Sequence, residues 1–234
     1  MRAAIFIDGG YILSHLKQHD LVPDYHSLAD FLLKPLRKSV PLDLLRCYFY
    51  YCPPWMSAEP TETEKRRMAE HETSMDEIKS LERWAVRLGK LHRRWDGHRE
   101  TFEQKRVDVL LSVDMVRHCA AGHIQHAIVV AGDSDFIPAI ESAKESGATV
   151  SLWCGRETTV HRDLLDLADV VHRFDWKKFP AKKIKSSSGP IQKAKEKLDS
   201  FLGGKTGEAA TSSSQSSRSS RRRRRKRHQE PQSS

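Results

Sequence analysis

The sequence has few cysteines, and their spacing suits neither a metal cage nor a disulfide framework. Four occur, at positions 47, 52, 119 and 154, with no Cys-x-x-Cys pair. Reduced thiols in a cytosolic type of compartment are therefore expected. No stretch approaches the ~20 consecutive apolar residues of a membrane span. The apolar start AAIFI meets Asp8 within a few residues, which does not fit a secretory signal. A soluble chain is the expectation. Acidic residues are scarce at the far end. From Lys177 onward there are 17 Lys and Arg against 4 Asp and Glu, whereas the first 176 residues hold 23 against 27. The net charge of +9 thus resides in the tail, over a mildly acidic body. Aromatic residues are absent between Gly203 and Ser234, so base stacking of the kind used by single-strand binders is not expected of the tail.

What is present begins with alternation. The chain of 234 residues suits one domain of ordinary size plus a tail. Ala3 to Ile7 (AAIFI) and His126 to Val130 (HAIVV) are short apolar runs followed closely by Gly and Asp, as expected of strands buried on both faces. Leu45 to Tyr51, Lys90 to Arg94, Thr149 to Trp153 and Val170 to Phe174 are further strand candidates. Helical patterns lie between them at Tyr11 to Gln18, Tyr25 to Arg37, roughly Thr63 to Leu88, Val107 to Ala121, Phe136 to Ser146 and Val160 to Ala168. Such alternation predicts an α/β fold, a three-layer α/β/α sandwich around a mostly parallel sheet. Ligands of such folds gather at the carboxyl ends of the strands.

Two of those strands end close to an acid. Asp8 follows the first, and Asp133 stands three residues after Val130 in AGDSDF. If the strands are neighbours, about 4.8 Å apart, the two carboxylates face each other. Like charges ~4 Å apart at an effective dielectric near 20 repel by roughly 4 kcal/mol. A cation or a proton must offset that repulsion. Mg²⁺ takes oxygen ligands, keeps several waters and is commonly held by one or two carboxylates, so Mg²⁺ or Mn²⁺ is the expected cofactor. Gly9, Gly10 and Gly132 would let backbone and substrate approach closely. Asp108 opens the apolar helix VDVLLSVDMV and can join this edge. Asp114 lies six residues on, about 120° around the helix, and ranks below it because pairing with Arg117 or His118 on the same helix is at least as good a reading.

These residues carry a resemblance. FIDGGY, KRVDVLLSVDM and HAIVVAGDSDFIPAIESAKESGATVSLW, in that order and spacing over roughly Arg2 to Trp176, resemble the NYN domain, in its LabA-like branch, of the PIN-like nuclease superfamily. HRDLLDLADVVHRF is similar to the family's closing helix and strand. The resemblance implies a PIN-like fold over 1–176 and a metal-dependent ribonuclease site. It maps the catalytic and metal-binding set onto Asp8, Asp108, Asp133 and Asp135, with Asp114 as a lesser member. Two departures stand out. Tyr11 occupies a position where many NYN domains have Asn, and Arg106 replaces the Gly of a usual Lys-Gly-Val-Asp motif.

On this reading the acidic cup holds an ion that polarises a phosphodiester and acidifies an attacking water. Ser134 is a candidate phosphate contact, although a turn or N-cap role is the better reading. Lys105 and Arg106 are candidate phosphate contacts that a solvated basic pair would also explain. Asp135 can cap FIPAIESAKESG, with Pro138 tolerated in the first turn, or bind metal. His118, His123 and His126, and His92 and His98 beside RRWDG, lack zinc spacing and read as surface or turn histidines. The stretch Cys52 to Glu64 is either a surface insertion or a flap beside the site.

The segment 177–234 reads as a largely disordered basic tail, with a short amphipathic stretch at Ile191 to Leu202. Its run Arg221, Arg222, Arg223, Arg224 and Arg225 supplies salt-sensitive attraction to nucleic acid, or a nuclear address if the source is eukaryotic. RNA is the expected partner and the cytoplasm the expected location. A homo-oligomer or a protein partner remains open. The rival reading is a non-catalytic RNA-binding or regulatory adaptor on a degenerate nuclease fold. An aspartyl phosphatase at Asp8 is disfavoured, because FIDGG lacks a second acid two residues after the first.

Overall fold

The computed structural model describes residues 1–38, 40–95, 100–156 and 160–183, and the side chains of 92–95 and 100–105 are outside that description. Six parallel strands form the central sheet: β1 (Arg2–Asp8), β3 (Asp43–Tyr51), β4 (Trp84–Leu88), β7 (His126–Val130), β8 (Thr149–Gly155) and β9 (Val170–Phe174). Their order is β4-β3-β1-β7-β8-β9, and every neighbouring pair runs parallel. The three-layer sandwich expected from the alternation is what forms. Among the described residues no helix is long and apolar enough to cross a membrane.

The alternation of β1 shows why it is central. Ala4 and Phe6 face one core, where α4 (Val107–Ala120), α5 (Ile137–Glu145) and α6 (Arg162–Leu167) contribute Leu111, Met115, Ile140 and Leu164. Ala3, Ile5 and Ile7 face the other, with Ile12 and Leu16 of α1 (Gly9–Gln18), Leu28 and Leu32 of α2 (Tyr25–Leu33) and Met75 and Ile78 of α3 (Glu62–Ser80). All five of these β1 residues are fully buried. A strand covered on both faces has no polar side to show, hence the continuous apolar run.

The chain order fixes where a ligand belongs. From β1 the chain moves outward to β3 and β4, then crosses back to β7 and moves outward the other way through β8 and β9. The crossovers diverge between β1 and β7. A crevice forms at such a switch point, outside the carboxyl ends of the strands.

Several boundaries differ from expectation. The helix expected over roughly 63–88 stops at Ser80, and Trp84–Leu88 is strand β4. Arg83, at φ 62, turns the chain, and the open edge of β3 then captures it, with Cys47 N–H donating to the Arg83 carbonyl at 2.8 Å. Pairing with a sheet edge overrides the helical pattern there. The α3 start is fixed by a reciprocal cap: Thr61 Oγ1 accepts from Glu64 N–H at 3.3 Å, and Glu64 Oε2 accepts from Thr61 N–H at 2.7 Å. The strand expected at Lys90 to Arg94 forms as β5 (Lys90–Trp95) but stays outside the main sheet, pairing antiparallel with β6 (Glu100–Lys105). Helix α2 ends at Leu33, short of Arg37. A second small pairing joins β2 (Leu21–Pro23) to β10 (Ala181–Lys183), so the described fold continues past Trp176 to Lys183. The tail from 184 onward, with the 191–202 stretch and Arg221 to Arg225, lies outside the described residues.

All four cysteines are free and buried. Burial holds the Cys47, Cys119 and Cys154 thiols above the ordinary thiol range, as inert packing residues.

Candidate active site

Asp8 is the last residue of β1 and the N-cap of α1, its Oδ1 accepting from Tyr11 N–H at 3.1 Å. The turn from strand to helix needs a residue without a side chain immediately afterwards. A Cβ on Gly9 would lie 2.6 Å from Phe49 Cζ and 2.7 Å from the Tyr50 carbonyl oxygen. Asp8 pairs in register with Tyr50, so the packing that excludes a side chain at Gly9 also fixes the height of the acid.

Burial is the largest influence on Asp8 and raises its pKa from 3.8 to about 6. The charges of Asp108 and Asp133 push in the same direction, against the N–H groups of Tyr11 and Gly10. The charges of residues 108 and 133 thus both reach Asp8, at the β1/β7 switch point. The repulsion read from the sequence is present, but loss of solvent outweighs it. A carboxyl with a raised pKa takes a proton readily when no cation is there, which is one of the two ways of offsetting the charge.

Asp133 Oδ1 accepts from Asp135 N–H at 3.1 Å and caps the 3-10 turn Ser134–Phe136. Asp135 does not cap α5, whose N-cap is Phe136 with no side-chain bond, and Asp133 caps the turn before it. Asp135 is exposed in the same turn and borders a shallow cavity of about 450 Å³ between α4 and α5, with Val113, Val116, Arg117 and Pro138. Ser134 is half-buried there. Pro138 sits in the first turn of α5 as expected.

Asp108 stands in the first turn of α4. The residue that introduces the helix, Arg106, is exposed and has φ 78. That left-handed backbone costs a residue with a side chain roughly 1–2 kcal/mol, which accounts for a glycine being usual in similar sequences. The Lys105 side chain lies outside the described set.

Asp114 is taken up by three neighbouring donors. It is buried, with Oδ2 accepting from Arg87 Nε and from Tyr50 Oη, each at 3.1 Å, and Oδ1 accepting from Arg117 at 2.9 Å. The pairing with Arg117 was legible on the helix; Arg87 was not, because its segment read as helical. Breaking such a buried charge contact leaves its partners half-solvated. Asp114→Asn is expected to lose about 2 kcal/mol of stability, measurable by urea unfolding, and an unchanged midpoint would contradict this role.

Sequence reasoning also passed over what Tyr11 does. Its ring fills the space above Gly132, where a Cβ would lie 2.6 Å from Tyr11 Cε2. Its hydroxyl accepts from Gly155 N–H at 3.0 Å, and its own N–H holds Asp8. One residue, through its backbone N–H, its ring and its hydroxyl, therefore ties the ends of β1, β7 and β8 together. An Asn would be too short to span that gap; the departure from the usual pattern is a structural tie.

His118 donates to or accepts from Tyr48 Oη at 2.7 Å and lies 3.3 Å from His123. His126 bonds Ser151 at 2.7 Å in the core, so of the three only His123 is a surface histidine.

Among the described residues no group of three or more His, Cys, Asp or Glu side chains is placed to hold a metal ion. The donors at the switch point are oxygens only, which suits a hard cation retaining much of its water.

Compared with known proteins, the chain matches the family model of the NYN domain over residues 2–175. No curated protein matches it. Among solved structures it is similar to a crystal structure of a protein of unknown function from Vibrio parahaemolyticus, at 19% identity and a TM-score of 0.50. The likeness covers 74% of this chain and 93% of that one, and it shows the fold alone.

Proposed function

Since the chain belongs to the NYN domain family, within the PIN-like nuclease superfamily, we propose that it is a metal-dependent ribonuclease hydrolysing RNA phosphodiester bonds at the β1/β7 switch point. The observation that supports this reading is the placement of Asp8 at the end of β1 and of Asp133 in the turn after β7, on neighbouring parallel strands, with the charge of Asp108 also reaching the half-buried Asp8 carboxyl. Those three residues would hold Mg²⁺ or Mn²⁺, with Asp135 in the outer acidic rim. When bound, the ion would lower the charge on a phosphodiester and the pKa of a water.

The chain's own residues do the positioning. Asp8 presents its carboxyl from a strand end fixed by Tyr11 and Gly9. Asp133 is held by the turn it caps. Gly132, where glycine was expected to admit substrate, instead makes room for the Tyr11 ring. Arg106 and Lys105 would receive substrate phosphates before Asp108, and Ser134 could donate to one. The tail 177–234, with Arg221 to Arg225, would add a salt-sensitive, sequence-blind attraction. The buried free thiols suit a cytoplasmic location.

A second reading rests on the lack of such a metal-holding group among the described residues: an RNA-binding adaptor that no longer cuts. Purified protein incubated with single-stranded RNA and DNA, with Mg²⁺, Mn²⁺ or EDTA, separates the two. Cleavage of RNA is expected with either metal and not with EDTA. Asp133→Asn keeps the turn cap and is expected to reduce the rate about a hundredfold or more, whereas Asp114→Asn should leave it within a few-fold. RNA binding without cleavage under any metal would establish the adaptor.

A further inference from the structure

Helix α4 is apolar on both of its sides. Val107, Leu111, Met115 and Cys119 fill one core. The exposed Val109, Val113 and Ala120, with the half-buried Val116, recur at helical spacing along the opposite face. A helix with one side in solvent ordinarily keeps that side polar, and one that is hydrophobic all round belongs in an interior. Val109 is 63% exposed and Val113 56%, the two highest values among the exposed large hydrophobic residues described. A continuous apolar stripe of this kind marks a contact surface.

The stripe runs into the shallow cavity between α4 and α5, where Pro138 adds to the apolar wall. Two side chains of opposite charge border that cavity, Arg117 on α4 and the exposed Asp135 in the turn before α5. Arg117 is 58% exposed even while it holds Asp114, and its fork of five donors can serve a second acid as well.

An apolar centre with one charge of each sign on its border can meet a copy of itself. In a twofold contact the same patch serves both chains, and an axis lying in the contact plane midway between the two charges sets each Arg117 against Asp135 of the second copy. Nucleic acid suits the patch poorly. Asp135 repels phosphate, and valine and proline give bases no ring to stack on.

We propose that the α4 face of Val109, Val113 and Val116, with the start of α5, is the interface of a twofold dimer of this chain, closed on each side by Arg117 of one copy and Asp135 of the other. Such a dimer requires no nuclease activity. It would nevertheless bear on the acidic edge, because Asp135 shares a turn with Asp133 and each copy's Arg117 would stand beside it.

Sedimentation of the full chain, freed of nucleic acid, over about 1 to 100 µM reads the association directly. Wild type is expected to pass from one chain to two across that range. Val113→Glu replaces an exposed side chain clear of the Asp114 contacts, so it should melt as wild type yet associate about tenfold more weakly or worse. Arg117→Glu and Asp135→Lys should each weaken self-association about tenfold, because each homodimer then sets like charges together. Mixed in equal amounts, the two variants should dimerise within about threefold of wild type, since the exchanged charges face each other in one contact and the native pair completes the other. Thermal melts of each variant accompany the mixing.

Wild type that stays a single chain throughout would overturn the dimer and leave the face to another occupant. A dimer that Val113→Glu leaves intact would belong to a different surface and overturn it equally. Folded charge variants that stay monomeric when mixed would overturn the pairing of Arg117 with Asp135.

Discussion

Asp8→Asn is expected to abolish RNA cleavage, by about a thousandfold or more, while making the metal-free protein more stable above neutral pH. The two effects come from the same geometry. Asn keeps an oxygen to accept the Tyr11 N–H bond and remains a good N-cap, so the strand-to-helix turn survives. What disappears is a charge in a buried place beside Asp108 and Asp133, and with it the field that would hold a cation.

The pH dependence follows from the raised value. The folded protein holds the Asp8 proton up to about pH 6, whereas the unfolded chain releases it near 3.8. Between those values the folded state binds more protons, so stability falls as pH rises. Above pH 7 the accumulated cost is about 3 kcal/mol, and Asp8→Asn removes it. Urea unfolding in EDTA at pH 8 should therefore find the variant more stable by up to that amount, with the gap closing towards pH 4. Added Mg²⁺ should stabilise wild type by mass action and the variant little. A variant that still cuts RNA, or that shows no pH-dependent gap, would contradict both the assignment of Asp8 and the origin of its shift.

How much of this was legible in the sequence depended on whether the cause was local. The runs AAIFI and HAIVV, each soon followed by an acid at a turn, announced both the buried strands and the edge where Asp8 and Asp133 meet. Strand β4 was not legible. LERWAVRLG carries no alternation that separates it from the helix before it, and only the open edge of β3 makes it a strand. That single misreading also hid Arg87, and with it the reason Asp114 is tied up in the core. Strands β2 and β10 have three residues each, too few for any period to show. The polar ETFEQK of β6 carries a single apolar residue, so no alternation announces a strand there. Tyr11 stood out as a departure from a pattern, but its meaning depends on Gly132 and Gly155, over a hundred residues away.

Gly9→Ala is expected to lose about 3 kcal/mol of stability and to impair cleavage as well, although helix propensity predicts the opposite sign. Alanine in a helix is favoured over glycine by up to about 1 kcal/mol, and Gly9 is the first residue of α1. The added methyl would lie 2.6 and 2.7 Å from two atoms of the Phe49 ring and 2.7 Å from the Tyr50 carbonyl oxygen. Phe49 is fully buried and packs edge-on against Tyr25, with ring centroids 5.5 Å apart, so the ring has nowhere to turn. The carbonyl belongs to β3 and cannot rotate away without loosening its pairing with β1. Overpacking against backbone typically costs 1–3 kcal/mol, and the upper end applies where ring and strand are both fixed. In a domain of this size that corresponds to a fall of roughly 10 °C in melting temperature. The residue displaced with Gly9 is Asp8, so the catalytic rate should fall beyond what unfolding explains when measured well below the melting point. Gly122→Ala is the control: nothing lies within 4 Å of its added methyl, and only the left-handed backbone, φ +67, would resist, leaving cleavage untouched. Equal behaviour of the two variants would show that the close approach of α1 to β3 does not set the position of the acid.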